Sequence, residues 1–507
     1  MQIAKNEASQ AGNLSHISQI VRSRSMWSFI AAAVLAAFYL VTSVYIASHR
    51  LLRFDELLTV HVTRLPHWAT IWTALAHSVD IQPPLPYMVA RIFDRLFGHS
   101  EVVVRLPFAL AMVAGLLITF DCARRLTDGL HGLIALSVLT CSFLPFHGYD
   151  ARPYAIYFML SALALWVWTS TRDGNKQSAI LFGMVIFLGV AFHYYFVLCL
   201  VPYALWEIIR WRPWQPLSPK LITGVVGVLL PIALLSRLIL PSVRDFSPGY
   251  YAPPSLWVLR ATFSNFFPYG LFPLALIMIW VVLTRTSDKA IALDAMSSGE
   301  SVSWLFLCIP LAGFVLARLK TNAYTDRYVI GALPGIAVAF SCCLWRHFRR
   351  ASLISLGIFL LLTAWGVVHQ AYVVRHPDSV NMPEQTATTQ FLKWEDVLRS
   401  DGKRFFLFPN SIIYLQAEYY CEHPDECAML VAPDGLEYPH DPIGRYWPLT
   451  KLAQYYPLHF WKLDDLKKHA GETALIEPPP EVLDILKQAG LQVEVRFSKP
   501  LEVVYLQ

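Results

Sequence analysis

Two adjacent carboxylates, Asp55 and Glu56, follow shortly after the first long apolar stretch of the chain. A carboxylate fixed at a membrane edge can act as a general base and take the proton of an acceptor hydroxyl. Asp55 is the candidate base; Glu56 could position the acceptor or bind a cation. The plainer account is a helix start, with Asp55 as cap and Glu56 in the first turn. A capped carboxylate is also a well-held one, so the two readings are compatible. Cations occur at comparable places: Arg105, Arg152, Lys320 and Arg327. The planar guanidinium fork suits a phosphate, because it makes paired, charge-assisted hydrogen bonds. Snorkelling to the interface competes with that role, and weighs more for Arg105 and Lys320. Asp150 could join Asp55 around a divalent ion such as Mg or Mn, although two lone Asp residues are a poor metal signature. His193, beside Tyr194 and Tyr195, is a substrate-site candidate whose simpler reading is a satisfied interfacial histidine. No Walker, Rossmann or zinc spacing is present.

The elements that must position these residues are membrane spans. Of 507 residues, 55% are hydrophobic and 15% charged, against about 25% charged in soluble domains. Mean hydropathy is +0.44. This excludes a wholly water-soluble enzyme, a disordered chain and a coiled coil. Aromatics, at 14%, suit many membrane–water boundaries. The net charge of +5 gives no reason to expect a nucleic-acid partner. Eleven segments approach the roughly 20 apolar residues that a span needs: Met26–Ala47, Val102–Cys122, Gly132–Phe146, Tyr154–Thr169, Ser178–Ala191, Tyr195–Ile209, Leu221–Leu240, Tyr269–Leu283, Val302–Ala317, Tyr328–Leu344 and Leu353–Val373. The first is too long for a signal-peptide core and reads as a retained anchor behind a cytoplasmic tail, residues 1–25. With the amino terminus inside, every inside loop is basic: Arg124 and Arg125; Arg172 and Lys176; Arg210, Arg212 and Lys220; Arg285 and Lys289; Arg346, Arg349 and Arg350. The outside loops instead mix acids and bases: Asp55, Glu56, Asp80, Asp150, Arg152, His193, Arg244, Asp245, Lys320, Asp326 and Arg327.

The first outside loop, residues 48–101, carries helical signals of its own. In Pro84–Gly98 the apolar residues recur at helical spacing, while Arg91, Asp94 and Arg95 share the other face. So short and amphipathic a helix lies in the interface. Trp68 and Trp72 mark a second one. After residue 375 the composition turns ordinary. Residues 376–507 read as an extracytoplasmic α/β domain, with strands at Arg404–Phe408, Ala428–Ala432, Thr473–Ile476, Val493–Phe497 and Val503–Leu506. Helices are expected at Ser411–Tyr420, Leu463–His469 and Glu481–Gln488. Cys421 and Cys427, in an oxidising compartment, are a disulfide candidate; the other six cysteines fall in spans.

Several of these features, taken in order, resemble the GT-C glycosyltransferases, polytopic enzymes that use polyprenyl- or dolichyl-phosphate sugars. The similarity is to the bacterial protein-mannosyltransferase-like branch, which includes the aminoarabinose transferases. It rests on Asp55-Glu56 after the first span, Gln82-Pro83-Pro84-Leu85-Pro86-Tyr87, Gly98 with Val104-Arg105-Leu106-Pro107, Ala151-Arg152-Pro153-Tyr154, and Asp326-Arg327-Tyr328 with Pro334. Together these cover residues 20–345. Where the aminoarabinose transferases have Glu-Lys-Pro, this chain has Gln82-Pro83-Pro84, so a lysine expected at the lipid phosphate is missing. The resemblance implies a transmembrane catalytic domain over residues 26–375 in the inner membrane, with its site on the periplasmic face. It implies transfer, with inversion, from a lipid-phosphate sugar to a glycan, lipid or protein of the cell envelope, and adds Gln82, Tyr87, Tyr154 and Tyr328 to the candidate site. A transporter or flippase of a lipid-linked substrate is the alternative, but it should carry charges at mid-span and repeated halves, and neither is evident.

Overall fold

The computed structural model describes residues 26–171, 175–212, 216–246, 252–268, 274, 297–348, 351–431, 446–499 and 501–506. The expected span at 269–283, apart from Leu274, lies outside them, as do Arg22, Arg24, Arg172, Arg285, Lys289, Arg349 and Arg350.

The chain is mostly helical. It opens with α1 (Met26–Ser48), followed by α2 (Phe54–Arg64), α3 (Trp68–Ala76), α4 (Leu85–Phe97) and α5 (Glu101–Leu126). Ser100 caps α5 by accepting the Val103 N–H. α1 and α5 have 23 and 26 residues, enough at about 1.5 Å per residue to cross a hydrocarbon core of about 30 Å. Asp326–Phe348 and Ser352–Arg375 are also long and apolar enough. That makes four such helices among the described residues, or six if two bent pairs each count as one span. The pairs are Pro219–Leu234 with Ser236–Asp245, bent by 73°, and Ser298–Leu305 with Cys308–Thr321, bent by 41°. Gly129–Thr140, Tyr154–Ser170 and Lys176–Phe192 are shorter apolar helices. Close approach is achieved with glycine. A Cβ on Gly227 would stand 2.4 Å from the Gly183 carbonyl oxygen, so helices Lys176–Phe192 and Pro219–Leu234 touch backbone to backbone.

The first loop forms two helices at the expected places, α3 and α4. α4 is turned inside out relative to a soluble helix. Arg91 and Asp94 are buried against the protein, while Met88, Ile92, Leu96 and Phe97 are exposed. That orientation fits a helix lying against lipid.

The carboxyl-terminal part holds a six-stranded sheet of β1 (Phe405–Phe408), β2 (Cys427–Leu430), β3 (Phe460–Trp461), β4 (Thr473–Ile476), β5 (Val493–Phe497) and β6 (Val503–Leu506). Its order is β3-β2-β1-β4-β6-β5. The first four are parallel, and β6 and β5 are added antiparallel. β3 and the helix Pro383–Ser400 are additions to the sequence-based reading. Cys421 and Cys427, the disulfide candidate, are both buried, with their sulfur atoms 2.9 Å apart.

This part docks on the segment that leads into α2. Gln385 and Gln416 donate side-chain hydrogen bonds to the carbonyls of Leu51 and Leu52, at 2.9 and 2.8 Å. The Leu52 N–H donates to the Tyr420 hydroxyl at 2.8 Å.

Candidate active site

Asp55 and Glu56 share the first turn of α2 but have different surroundings. The cap position belongs to Arg53, not to Asp55 as the sequence suggested, and Glu56 accepts the Arg53 N–H at 2.9 Å. Both Glu56 oxygens are fully occupied. Arg105 donates at 2.6 and 2.8 Å, Arg50 at 3.1 Å and the Ala151 N–H at 2.9 Å. Burial alone would raise the Glu56 carboxyl, but the charges and hydrogen bonds of Arg105, with Arg50 behind them, hold it below its ordinary value. Glu56 is therefore a buried structural anion with no free oxygen for an acceptor or a cation.

Arg105 is corrected in the same way. A guanidinium has five N–H donors. Here they go to the two Glu56 oxygens and to the carbonyls of Ala47, Arg50 and Leu51. None is left for a phosphate. Arg105 ties the end of α1 to the start of α2.

Asp55 is more than a third exposed on its side chain and faces Arg327 at 3.2 Å. The two are 272 positions apart. Arg327 also lies over the rings of Tyr154 and Tyr328, at 5.5 and 5.9 Å. Arg152 is buried. It grips Asp80 through both terminal nitrogens, at 2.6 and 3.3 Å, and donates to the Asp55 carbonyl and the Thr59 hydroxyl at 3.1 and 3.2 Å. Asp80 in turn accepts the Ile81 N–H at 2.7 Å. Tyr87 is buried beside Asp80 and Arg152, and Gln82 is buried just ahead of α4.

Behind this face lies an aromatic wall. Tyr154 stands between His147 and His193, at 5.0 and 5.4 Å between ring centres, and Tyr328 packs on His193 at 5.6 Å. His193 Nδ1 accepts the Tyr195 N–H at 3.2 Å. Asp150 is buried 3.8 Å from His147 Nδ1. Burial opposes its charge, but His147, Arg53 and Arg50 hold its carboxyl low. Lys320 is exposed, in the π-helical end Ala317–Thr321 of the helix Cys308–Thr321, and has no ion pair with the other candidates. Among the described residues no group of three or more His, Cys, Asp or Glu is placed to hold a metal ion.

Asp55, Arg152, Arg327, Tyr87, Tyr154, Tyr328 and His193 thus meet in one region. Asp80 and Thr59, which bind Arg152, and His147, which packs on Tyr154, belong with them. The sequence signal for Asp80 was its place two residues before Gln82-Pro83-Pro84, in an otherwise apolar stretch.

Residues 81–236 match the family model described as dolichyl-phosphate-mannose-protein mannosyltransferase. Among solved structures, ArnT from Cupriavidus metallidurans bound to undecaprenyl phosphate superposes with a TM-score of 0.60 at 13% identity, over 94% of this chain and 97% of that one. The apo state of the same protein gives 0.61 at 13% identity, with the same coverage. No curated protein matches the sequence. At 13% identity the likeness is one of fold. The chain shares the fold of ArnT over nearly the whole of both chains.

Proposed function

We propose that the protein is an integral-membrane glycosyltransferase that moves a sugar from a polyprenyl-phosphate donor to a hydroxyl of a cell-envelope acceptor. The observation that carries this is the Asp55–Arg327 pair: a part-exposed carboxylate and a guanidinium 3.2 Å apart, beside an Arg152–Asp80 pair that is buried. A donor phosphate would compete with Asp55 for Arg327 and free the carboxylate. Asp55 then takes the acceptor O–H proton, the acceptor oxygen bonds to the anomeric carbon, and the carbon–oxygen bond to the lipid phosphate breaks with its electron pair leaving on the phosphate. Attack opposite the leaving group inverts the anomeric carbon. Arg152, held by Asp80, fixes the Asp55 backbone, so the phosphate role falls first on Arg327. Tyr154 and Tyr328 offer rings beside that guanidinium against which a sugar or isoprenoid can pack.

The family match and the ArnT-like fold support a lipid-phosphate sugar as donor. The basic inside loops support an eleven-span arrangement with the amino terminus in the cytoplasm, residues 376–507 outside as a separate domain, and the site on the periplasmic face. The test is incubation of the purified protein with radiolabelled polyprenyl-phosphate sugars and an envelope extract. Label should move to one acceptor fraction with the wild type and not with Asp55→Asn. Transfer by that variant at the wild-type rate would remove Asp55 as the base. Passage of intact donor across the bilayer without transfer would make the protein a transporter.

A further inference from the structure

α4 carries two neighbouring stripes. Met88, Ile92 and Leu96, four residues apart, are exposed, and Arg91 and Arg95, also four apart, lie beside them. Where the ends of α2 and α4 converge there is a cavity of about 460 Å³, lined by Arg64, Arg91, Asp94, Arg95 and His99 among others. Three guanidinium groups face one carboxylate. That carboxylate is engaged by Arg64 at 3.3 Å and by His99 at 2.7 Å. Arg91 is turned to the carbonyls of Thr63, Leu65 and Pro66 and lies 4.9 Å over the Trp68 ring. Arg95 is exposed and has no ion pair among the described residues. The cavity keeps a positive charge that the protein does not neutralise. Trp68 and Trp72 on α3, 45% and 42% exposed, are of the residue type that gathers at a membrane–water boundary.

We infer that this cavity seats the phosphate headgroup of an anionic phospholipid whose acyl chains lie along the Met88–Ile92–Leu96 stripe. A soluble anion makes no use of that stripe, and a zwitterionic lipid gains little from the uncompensated arginines. The site is separate from Asp55: α2 places Arg64 nine residues, roughly 13 Å along the axis, from it, and half a turn away in direction. It stands whether or not Asp55 is the base.

The test is native mass spectrometry of the delipidated full-length protein titrated with phosphatidylglycerol, or with phosphatidylcholine of the same chains. One phosphatidylglycerol should be retained in preference to phosphatidylcholine and should resist millimolar inorganic phosphate. Arg95→Glu should weaken it roughly tenfold or more, Arg95→Gln less, and Arg95→Lys little. Equal retention of the two lipids, or no loss with both Arg95→Glu and Arg95→Gln, would overturn the headgroup seat. Displacement by inorganic phosphate would show a soluble-anion site instead.

Discussion

Neighbours in sequence, Asp55 and Glu56 have divided their roles: one side chain reaches the open face and the other is sealed in a knot of arginines. Asp55→Asn keeps the shape and removes the base, so turnover should fall by about 10²–10⁴ while donor binding survives; a pH–rate profile and a donor-binding titration check both. Arg327→Ala should raise the donor KM more than it lowers kcat, and unchanged donor affinity would discard its phosphate role. Arg105→Ala acts differently. It strips Glu56 of its main partner and should cost about 3–5 kcal/mol of stability, read as a lowered unfolding temperature in detergent. Asp55, Arg152 and Arg327 were legible because charges at span ends are conspicuous, while Tyr154 and Tyr328 entered through the resemblance. The Glu56–Arg105 pair was not, because its 49-residue separation carries no local pattern. In one dimension, a buried arginine and a phosphate-binding one look alike.

Helices were readable where one period dominated. α4 was, since its apolar residues recur at every third and fourth place, although only the structure shows that the polar face is the buried one. The helix Pro383–Ser400 was not. Its buried residues include Gln385, Thr388 and Glu395 beside Phe391 and Leu398, so the inward stripe is half polar and the apolar period vanishes. β3 has two residues, too few to show an alternation. In the membrane part, contact between helices Lys176–Phe192 and Pro219–Leu234 depends on an absent side chain. Gly227→Ala must push a Cβ against a backbone oxygen, which cannot swing aside, and should cost about 1–3 kcal/mol; a thermal shift assay checks it. Gly357, where a Cβ would meet nothing within 4 Å, is the control, and equal effects at the two positions would defeat the packing explanation.

Taken whole, the molecule joins a membrane part to a sheet-bearing part through buried polar contacts. Glu418, two residues before the docking Tyr420, is buried. Burial, opposed by a hydrogen bond from Tyr456 and aided by Asp425, raises its carboxyl from 4.5 to about 7. The folded state therefore holds a proton that the unfolded state has released between these values. Stability should fall as pH rises from about 4.5 to 7 and recover nothing above. Glu418→Gln should flatten that slope, with a larger gain in unfolding temperature over wild type at pH 8 than at pH 5. A gain independent of pH would count against this burial effect. The membrane character of the chain could be read from composition alone. The joint between the parts could not, since it closes over 334 to 368 residues. That span bears on how the protein is made. The turn that leads into Asp55 leaves the ribosome 334 to 368 residues ahead of the groups that fix Leu51 and Leu52. Until those groups follow, a nascent chain carries Asp55 on an unsecured lead-in, so competence waits for the sheet-bearing part.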